Sequence, residues 1–166
     1  MVTRPRPAVE RVRPPKAPYR VVNRVMRWLL SSRRRARGIG RHLLLLHLTG
    51  RKSGRRFVFP VAYRDAGDGR LLVLTNAMWR VNLRTDPDIA VTLHGEHRPA
   101  RAELIEDPDT VAAVYRRLIE EAGHDKAGRR MGIRINVPRT PTPAELAEAA
   151  RRDGLALIYL DVSDPR

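Results

Sequence analysis

There is no cysteine anywhere in the 166 residues, so disulfides, thiol nucleophiles and cysteine-ligated metals are excluded at once. No run approaches the roughly 18 apolar residues that a bilayer-spanning helix needs. The first eighteen residues lack the apolar h-region of a secretory signal, and a cytoplasmic protein is the simplest expectation. Aromatics make up only 5% of the chain, and neither a base-stacking platform nor a recognition helix is visible. The histidines do not form a metal spacing. His42 and His47 lie five apart on a strand pattern, hence on opposite faces, while His94 and His97 flank a turn; the metal expectation is none. Neither a paired-carboxylate arrangement nor a Ser-His-Asp set can be read, so no side chain is assigned to catalysis.

Acids are nearly missing from one region. Residues 1–56 carry seventeen Arg or Lys against one acid, Glu10, a balance of +16, whereas residues 57–166 carry sixteen against seventeen, a balance of −1. The net charge of +15 therefore belongs to the N-terminal third, which points to an anionic partner there. Thirty of the thirty-three basic residues are arginine, as a GC-rich genome encodes without functional demand, which makes Lys52 the more telling. A hydrophobic fraction of 42% over this length suits one domain with its own core.

Residues 1–18 hold five prolines and no apolar periodicity, and read as a disordered or loosely attached basic arm before a single domain over 19–166. From Tyr19, Val22, Val25, Met26 and Leu29 recur at helical spacing opposite Arg20, Arg24 and Arg27, a basic amphipathic helix of about three and a half turns. Three readings of Tyr19–Ser32 stand: packing over the fold, contact with an anionic membrane at the inner face, or solubility alone. The arginine- and glycine-bearing run Ser32–Gly40 breaks the helix.

The middle reads as an antiparallel meander. His42–Leu48 and Arg56–Tyr63 are strands, and Pro60 places the second on an edge, at a bulge or beside a ligand. Asp65–Gly69 is a turn, Leu71–Thr75 a strand, and Trp79–Arg84 at most one helical turn. Ile89–Leu93 and Arg98–Ile105 form a hairpin. Asp107 caps a helix that runs to about Ala122. Gly123–Arg130 is a polar loop, Met131–Val137 a strand or extended linker, and Thr142-Pro143-Ala144-Glu145 a capping box before a helix ending at Gly154. Leu155–Val162 closes the chain. The class is mainly β (α+β), a small closed or partly closed barrel.

The stretch Thr49-Gly50-Arg51-Lys52-Ser53-Gly54-Arg55-Arg56 joins two strands, so its amides lie at the end of a sheet. Gly50 and Gly54 permit close approach and positive φ, Ser53 and Thr49 add hydroxyls, and arginine matches phosphate or carboxylate as a bidentate fork. It is not a Walker loop, which needs G-x-x-x-x-G-K-[ST] leading into a helix. From the residues alone, an anion site and a solvated charged loop are equally open.

"GRKSG", then Pro60, then "LLVLTN" and "WRVNL" resembles, over about Leu43–Ala102, the deazaflavin (F420)-dependent nitroreductase and quinone reductase family. The resemblance implies a split β-barrel with an N-terminal amphipathic helix and two flanking helices. It also implies coenzyme F420, an 8-hydroxy-5-deazaflavin with a phosphate and an oligoglutamate tail, as cofactor, with FMN the alternative. It implies that Arg51, Lys52, Ser53 and Gly54, with Arg56 beside them, hold the phosphate. Pro60, Val61 and Ala62 would lie along the ring, Thr75 and Asn76 beside it, and Trp79 and Asn82 would close the pocket. The function implied is hydride transfer from reduced F420 to a small hydrophobic acceptor such as a quinone, enone or nitro compound.

The chain departs from the family pattern in two places. Only Ala77 and Met78 separate Asn76 from Trp79, where nitroimidazole-reducing members carry a longer Gly-rich loop, and Asn76 replaces a usual hydroxyl. The family's C-terminal tyrosines do not align, and neither Tyr115 nor Tyr159 is assigned to catalysis. A non-catalytic F420 or flavin carrier and a basic nucleic-acid-binding module are the competing functions.

Overall fold

The structure, a computed structural model, describes residues 5–13, 16–38 and 40–164. They fall into two compact units. One comprises residues 14–73, 78–104 and 158–166; the other comprises 1–13, 74–77 and 105–157.

The first unit is built on the sheet. Helix α1 (Lys16–Leu30) and the short α2 (Arg33–Ala36) lead into strand β2 (Leu43–Thr49). The chain continues through β3 (Arg56–Ala62), β4 (Arg64–Asp65) and β5 (Leu71–Thr75). A 3-10 helix (Met78–Arg84) precedes the hairpin β6 (Asp88–Leu93) and β7 (Glu96–Ile105), and the last strand is β9 (Ala156–Val162). The order across the sheet is β3-β2-β6-β7-β9-β5-β4.

That order closes on itself. Its two end strands, β3 and β4, are separated only by Tyr63, and one residue bridges at most about 7 Å. The segment Arg56–Asp65 therefore pairs with β2 along its first part and with β5 along its last. The sheet must curl until its ends meet, which makes a small barrel in which the expected split β-barrel is recognised. Pairings β2–β3, β2–β6, β4–β5 and β6–β7 are antiparallel. Pro60 sits opposite Leu45 in a strand at the end of the order, where its missing N–H breaks no ladder.

Alternation sorts the two faces. Leu44, Leu46 and Leu48 of β2 pack with Val73, Val91 and Ile158 in the interior, joined by Phe59 and Val61 of β3. Leu45, Leu43 and Val58 face the other way and receive Leu30 and Met26 from α1 and Ala36 from α2. Helix α1 thus covers part of the outer face, as one of the three readings expected. It starts earlier than Tyr19 because a proline in the first turn, here Pro18, breaks no helical bond.

In the second unit, β1 (Val9–Arg11) pairs antiparallel with β8 (Ile133–Ile135). Helices α3 (Pro108–Ala122), α4 (His124–Met131) and α5 (Pro143–Asp153) complete it. Its core joins Val111, Tyr115 and Ile119 of α3 with Leu146 and Ala150 of α5, each nearly inaccessible to solvent. The caps stand where the sequence placed them. Asp107 accepts from the Thr110 amide, and Thr142 and Glu145 complete a reciprocal capping box.

Three expectations need correction. The arm over 1–18 is not loose at Val9–Arg11: Val9 is 1% exposed, the Arg11 amide donates to Asp153 Oδ2 (3.0 Å), and Asn136 Nδ2 donates to the Pro7 carbonyl (2.8 Å). A proline-rich stretch with no local periodicity is ordered here by partners more than 120 residues away. Residues 1–4, 14 and 15 of that arm lie outside the described residues. The expected polar loop Gly123–Arg130 is helical from His124, and the helix takes in Met131, expected to open a strand or linker. Ala127 and Met131 are buried one turn apart, and Gly128 weakens the helical signal. The 3-10 helix at Met78–Arg84 spans seven residues, longer than the single turn expected.

Candidate functional site

The reversal between β2 and β3 is built from inside. The Gly50 amide donates to the Arg55 carbonyl (2.8 Å) and the Gly54 amide to the Gly50 carbonyl (2.8 Å). Gly54 adopts φ +63, where a side chain would be strained. At Gly50 a Cβ would stand 2.7 Å from Phe57 Cε2 and 2.8 Å from Ser53 Oγ, so the ring packs directly on the glycine. The amide of Arg55 donates to Ser53 Oγ (3.3 Å), and that of Arg51 to Asn82 Oδ1 (3.1 Å).

These bonds narrow the expected anion nest. Four amides of the turn, those of Gly50, Arg51, Gly54 and Arg55, are engaged within the protein. The amides of Lys52 and Ser53 keep no partner among the described residues. Above them stand the exposed side chains of Arg51, Lys52, Arg55 and Arg56, with no carboxylate at ion-pair distance among the described residues. Elsewhere the barrel unit does pair some of its arginines: Arg33 and Arg98 with Glu96, and Arg70 with Asp68 and Glu103 at 2.7 Å each. Four unpaired cations and two free amides form a donor set suited to an anion of several charges.

Asn82 links this turn to the 3-10 helix. Its Oδ1 accepts from Arg51, its Nδ2 donates to the Trp79 carbonyl (2.9 Å), and its own carbonyl accepts from the amides of Thr85 (3.4 Å) and Asp86 (3.2 Å). Both ends of the side-chain amide are therefore occupied by protein. Trp79, half-buried, stacks on Phe59 at 5.7 Å between ring centroids, and Phe59 stacks on Phe57 at 5.9 Å. Three of the eight aromatic residues, including both phenylalanines, thus form one row from the turn to the helix.

The candidates are therefore partly gathered. Arg51, Lys52, Ser53, Gly54, Arg56, Trp79 and Asn82 share this end of the barrel unit. Val61, opposite Leu44, shares the interior face of Phe59 but lies five residues along the strand from Arg56. Pro60 and Ala62 sit on the same edge strand, but alternation points them to the face opposite Val61. Thr75 and Asn76 belong to the other unit, where Thr75 Oγ1 accepts the Ala77 amide (3.1 Å). Phe57 and Phe59 were not singled out by the sequence reading. Their i, i+2 spacing beside Arg56 was the available signal. Tyr115 is 1% exposed and a core residue, and Tyr159 lies under the Arg70 guanidinium at 4.5 Å.

The family model of F420H(2)-dependent quinone reductase matches residues 20–140. The chain belongs to that family. As an F420H(2)-dependent quinone reductase family member it is an oxidoreductase that works with F420, and the match spans the turn, the aromatic row and Asn82. Several solved structures are similar at low identity. One described as an F420 reductase is 15% identical, covers 83% of this chain and 93% of its own, and has a TM-score of 0.41. A conserved hypothetical protein from Mycobacterium tuberculosis is 15% identical, with 78% of each chain covered and a TM-score of 0.42. A pyridoxamine 5′-phosphate oxidase-related FMN-binding protein from Nostoc punctiforme is 16% identical over 90% of this chain and 83% of its own, at 0.44. No curated protein matches. Among the described residues no cluster of metal-ligating side chains occurs, and no helix is long and apolar enough to cross a membrane.

Proposed function

We propose that the protein passes a hydride from reduced F420 to a small hydrophobic acceptor, a quinone, enone or nitro compound, with the turn Gly50–Arg56 gripping the anionic part of the coenzyme. The single observation that carries this reading is the set of four unpaired cations tied through Asn82 to Trp79. When bound, the coenzyme supplies the hydride from C5 of its deazaflavin ring.

The chain's own residues do the rest. Arg51, Lys52, Arg55 and Arg56 neutralise phosphate and glutamate charge, and the amides of Lys52 and Ser53 donate to an oxygen there. Trp79, propped on Phe59, offers a flat apolar surface that excludes water next to a ring. Val61 lines the same face as Phe59, and the Pro60–Ala62 backbone supplies a sheet edge. Asn82 holds the turn and Trp79 in register through one bond at each end of its amide.

The test is a titration of the Trp28→Phe variant, in which Trp79 is the sole tryptophan. F420 should quench its fluorescence saturably, and loss of reduced-coenzyme absorbance with menadione should follow. Binding without turnover would establish the carrier reading instead, and quenching by FMN but not F420 would replace the cofactor. No quenching together with salt-sensitive DNA binding would sink the proposal.

For Tyr19–Ser32, peripheral contact with an anionic membrane is supported by Val21 (67% exposed), Val22, Val25 and Trp28 standing in solvent among arginines. Co-sedimentation with anionic but not neutral vesicles checks it.

A further inference from the structure

A second concavity lies on the opposite face of the barrel wall from Trp79, and none of its lining residues belongs to the F420 reading. Its volume is about 850 Å³, and its lining runs from Asn23, Arg24, Arg27 and Trp28 on α1 and Ser31 just after it to Leu45, His47, Val58 and Thr92 on β2, β3 and β6. Small-molecule sites usually occupy clefts of about 300–1,000 Å³. The strand residues that form it alternate with the interior leucines, so barrel backbone separates it from Trp79, Phe59 and Val61, while Pro60, opposite Leu45, shares its face without lining it.

The lining has a definite chemistry. Leu45 and Val58 make an apolar floor. His47 is hydrogen-bonded to Thr92 Oγ1 (2.8 Å) and packed edge-on against His97, ring centroids 4.9 Å apart. The Trp28 wall is 59% exposed yet stiffened, with Arg35 stacked over its ring at 4.3 Å and Ser31 Oγ donating to its carbonyl (2.8 Å). Arg24 and Arg27 stand on the rim with no acid paired to them among the described residues, and no acid lines the groove. Burial, His97 and Arg27 together hold the His47 imidazole below its ordinary pKa, as a positive surrounding must.

We propose that this groove is a binding site for an organic anion with an apolar body, a single phosphate or carboxylate head held by Arg24 and Arg27 and a hydrocarbon tail on Leu45, Val58 and Trp28. The charge is what selects the occupant. Two guanidiniums without counter-ions favour an anion, and the acid-free lining offers a cation nothing. The apolar floor gives the tail a place out of water.

The experiment uses the full chain with ¹³C-labelled histidine and the Trp79→Phe variant, in which Trp28 is the only tryptophan. Decyl phosphate, below its micellar concentration, should shift the His47 ring signals and the Trp28 emission saturably. Decanol and inorganic phosphate, each lacking one half of the ligand, should do so only at concentrations at least tenfold higher. Arg24→Gln/Arg27→Gln should raise the half-saturating concentration at least tenfold, while Arg24→Lys/Arg27→Lys retains binding. F420 affinity measured through Trp79 in the Trp28→Phe background should be unchanged by either pair. Vesicles of phosphatidylglycerol and of phosphatidylcholine separate the sources. Arginine-dependent co-sedimentation with the former assigns the head to a lipid, and its absence with saturable decyl phosphate binding assigns a free small molecule. Equal binding of decanol, or binding of decyl phosphate that the glutamine pair leaves untouched, overturns the proposal.

Discussion

The turn Gly50–Arg56 and the helix start at Arg139–Glu145 both carry arginine, and they use it in opposite ways. At the capping box, Arg139 donates to both oxygens of Glu145 (2.8 Å each), and Glu145 accepts the Thr142 amide (2.8 Å). Every charge there is answered from within the chain, and the Arg139 guanidinium, ahead of the Thr142 amide, holds the Glu145 carboxyl down at about 2. At the turn, no acid answers Arg51, Lys52, Arg55 or Arg56 among the described residues, and the bonds that exist shape the backbone instead. A charge whose partner lies within the fold acts on stability. One whose partner is left to arrive from solution acts on binding.

Removing the charges should show the largest effect on binding and almost none on folding. Arg51→Ala/Lys52→Ala is expected to weaken F420 binding by about 3 kcal/mol, given about 1.5–3 kcal/mol for each charge-assisted hydrogen bond, with the melting temperature unchanged. An unchanged dissociation constant would remove the turn from the site. Gly50→Ala attacks the shape rather than the charge. Its Cβ would press on Phe57 and Ser53, so a loss of about 1–3 kcal/mol of stability is expected by denaturant melt, with weaker binding following.

Asn82→Ala removes the tie between turn and Trp79 at about 1–2 kcal/mol. The distinctive readout is fluorescence. Trp79 emission should broaden before coenzyme is added, and the dissociation constant should rise about tenfold. If binding falls while free Trp79 emission is unaltered, Asn82 contacts the coenzyme directly.

The smallest effects belong to the paired arginine, Arg139. Arg139→Ala should lower stability only slightly and leave F420 affinity alone, since the pair is solvent-screened. Because Glu145 is depressed in the fold, its contribution is complete above the unfolded value near 4.5 and is lost as pH falls toward about 2. Thermal melts of the native chain should decline across that window, and those of Arg139→Ala should decline less. His47 adds a separate acid sensitivity. With its folded pKa below 6.5, the stability it contributes is present above that pH and declines as pH falls.

Much of this was readable in one dimension because the deciding interactions are local. The caps at Asp107 and Thr142 act within three residues, and strand alternation in Leu43–Thr49 is a period-two signal within a single segment. The turn was legible because glycine and cation spacing appear side by side. Val9–Arg11 was not, since its partners sit at Ile133–Ile135 and Asp153. The aromatic row was half visible: Phe57 and Phe59 share a face by spacing, but Trp79 reaches them only through the fold.

Composition and spacing by themselves determined the absence of thiol chemistry, the concentration of positive charge in the first third, and a mainly β chain with a glycine-bounded basic turn. The tertiary structure alone decided that Arg56–Asp65 closes the sheet, that Asn82 reaches Arg51 across 31 positions, and that two faces of one wall carry different chemistry. The reason is physical. Local propensities and charges depend on neighbours in the chain, whereas whether an arginine finds a carboxylate depends on which distant strands happen to be brought beside it.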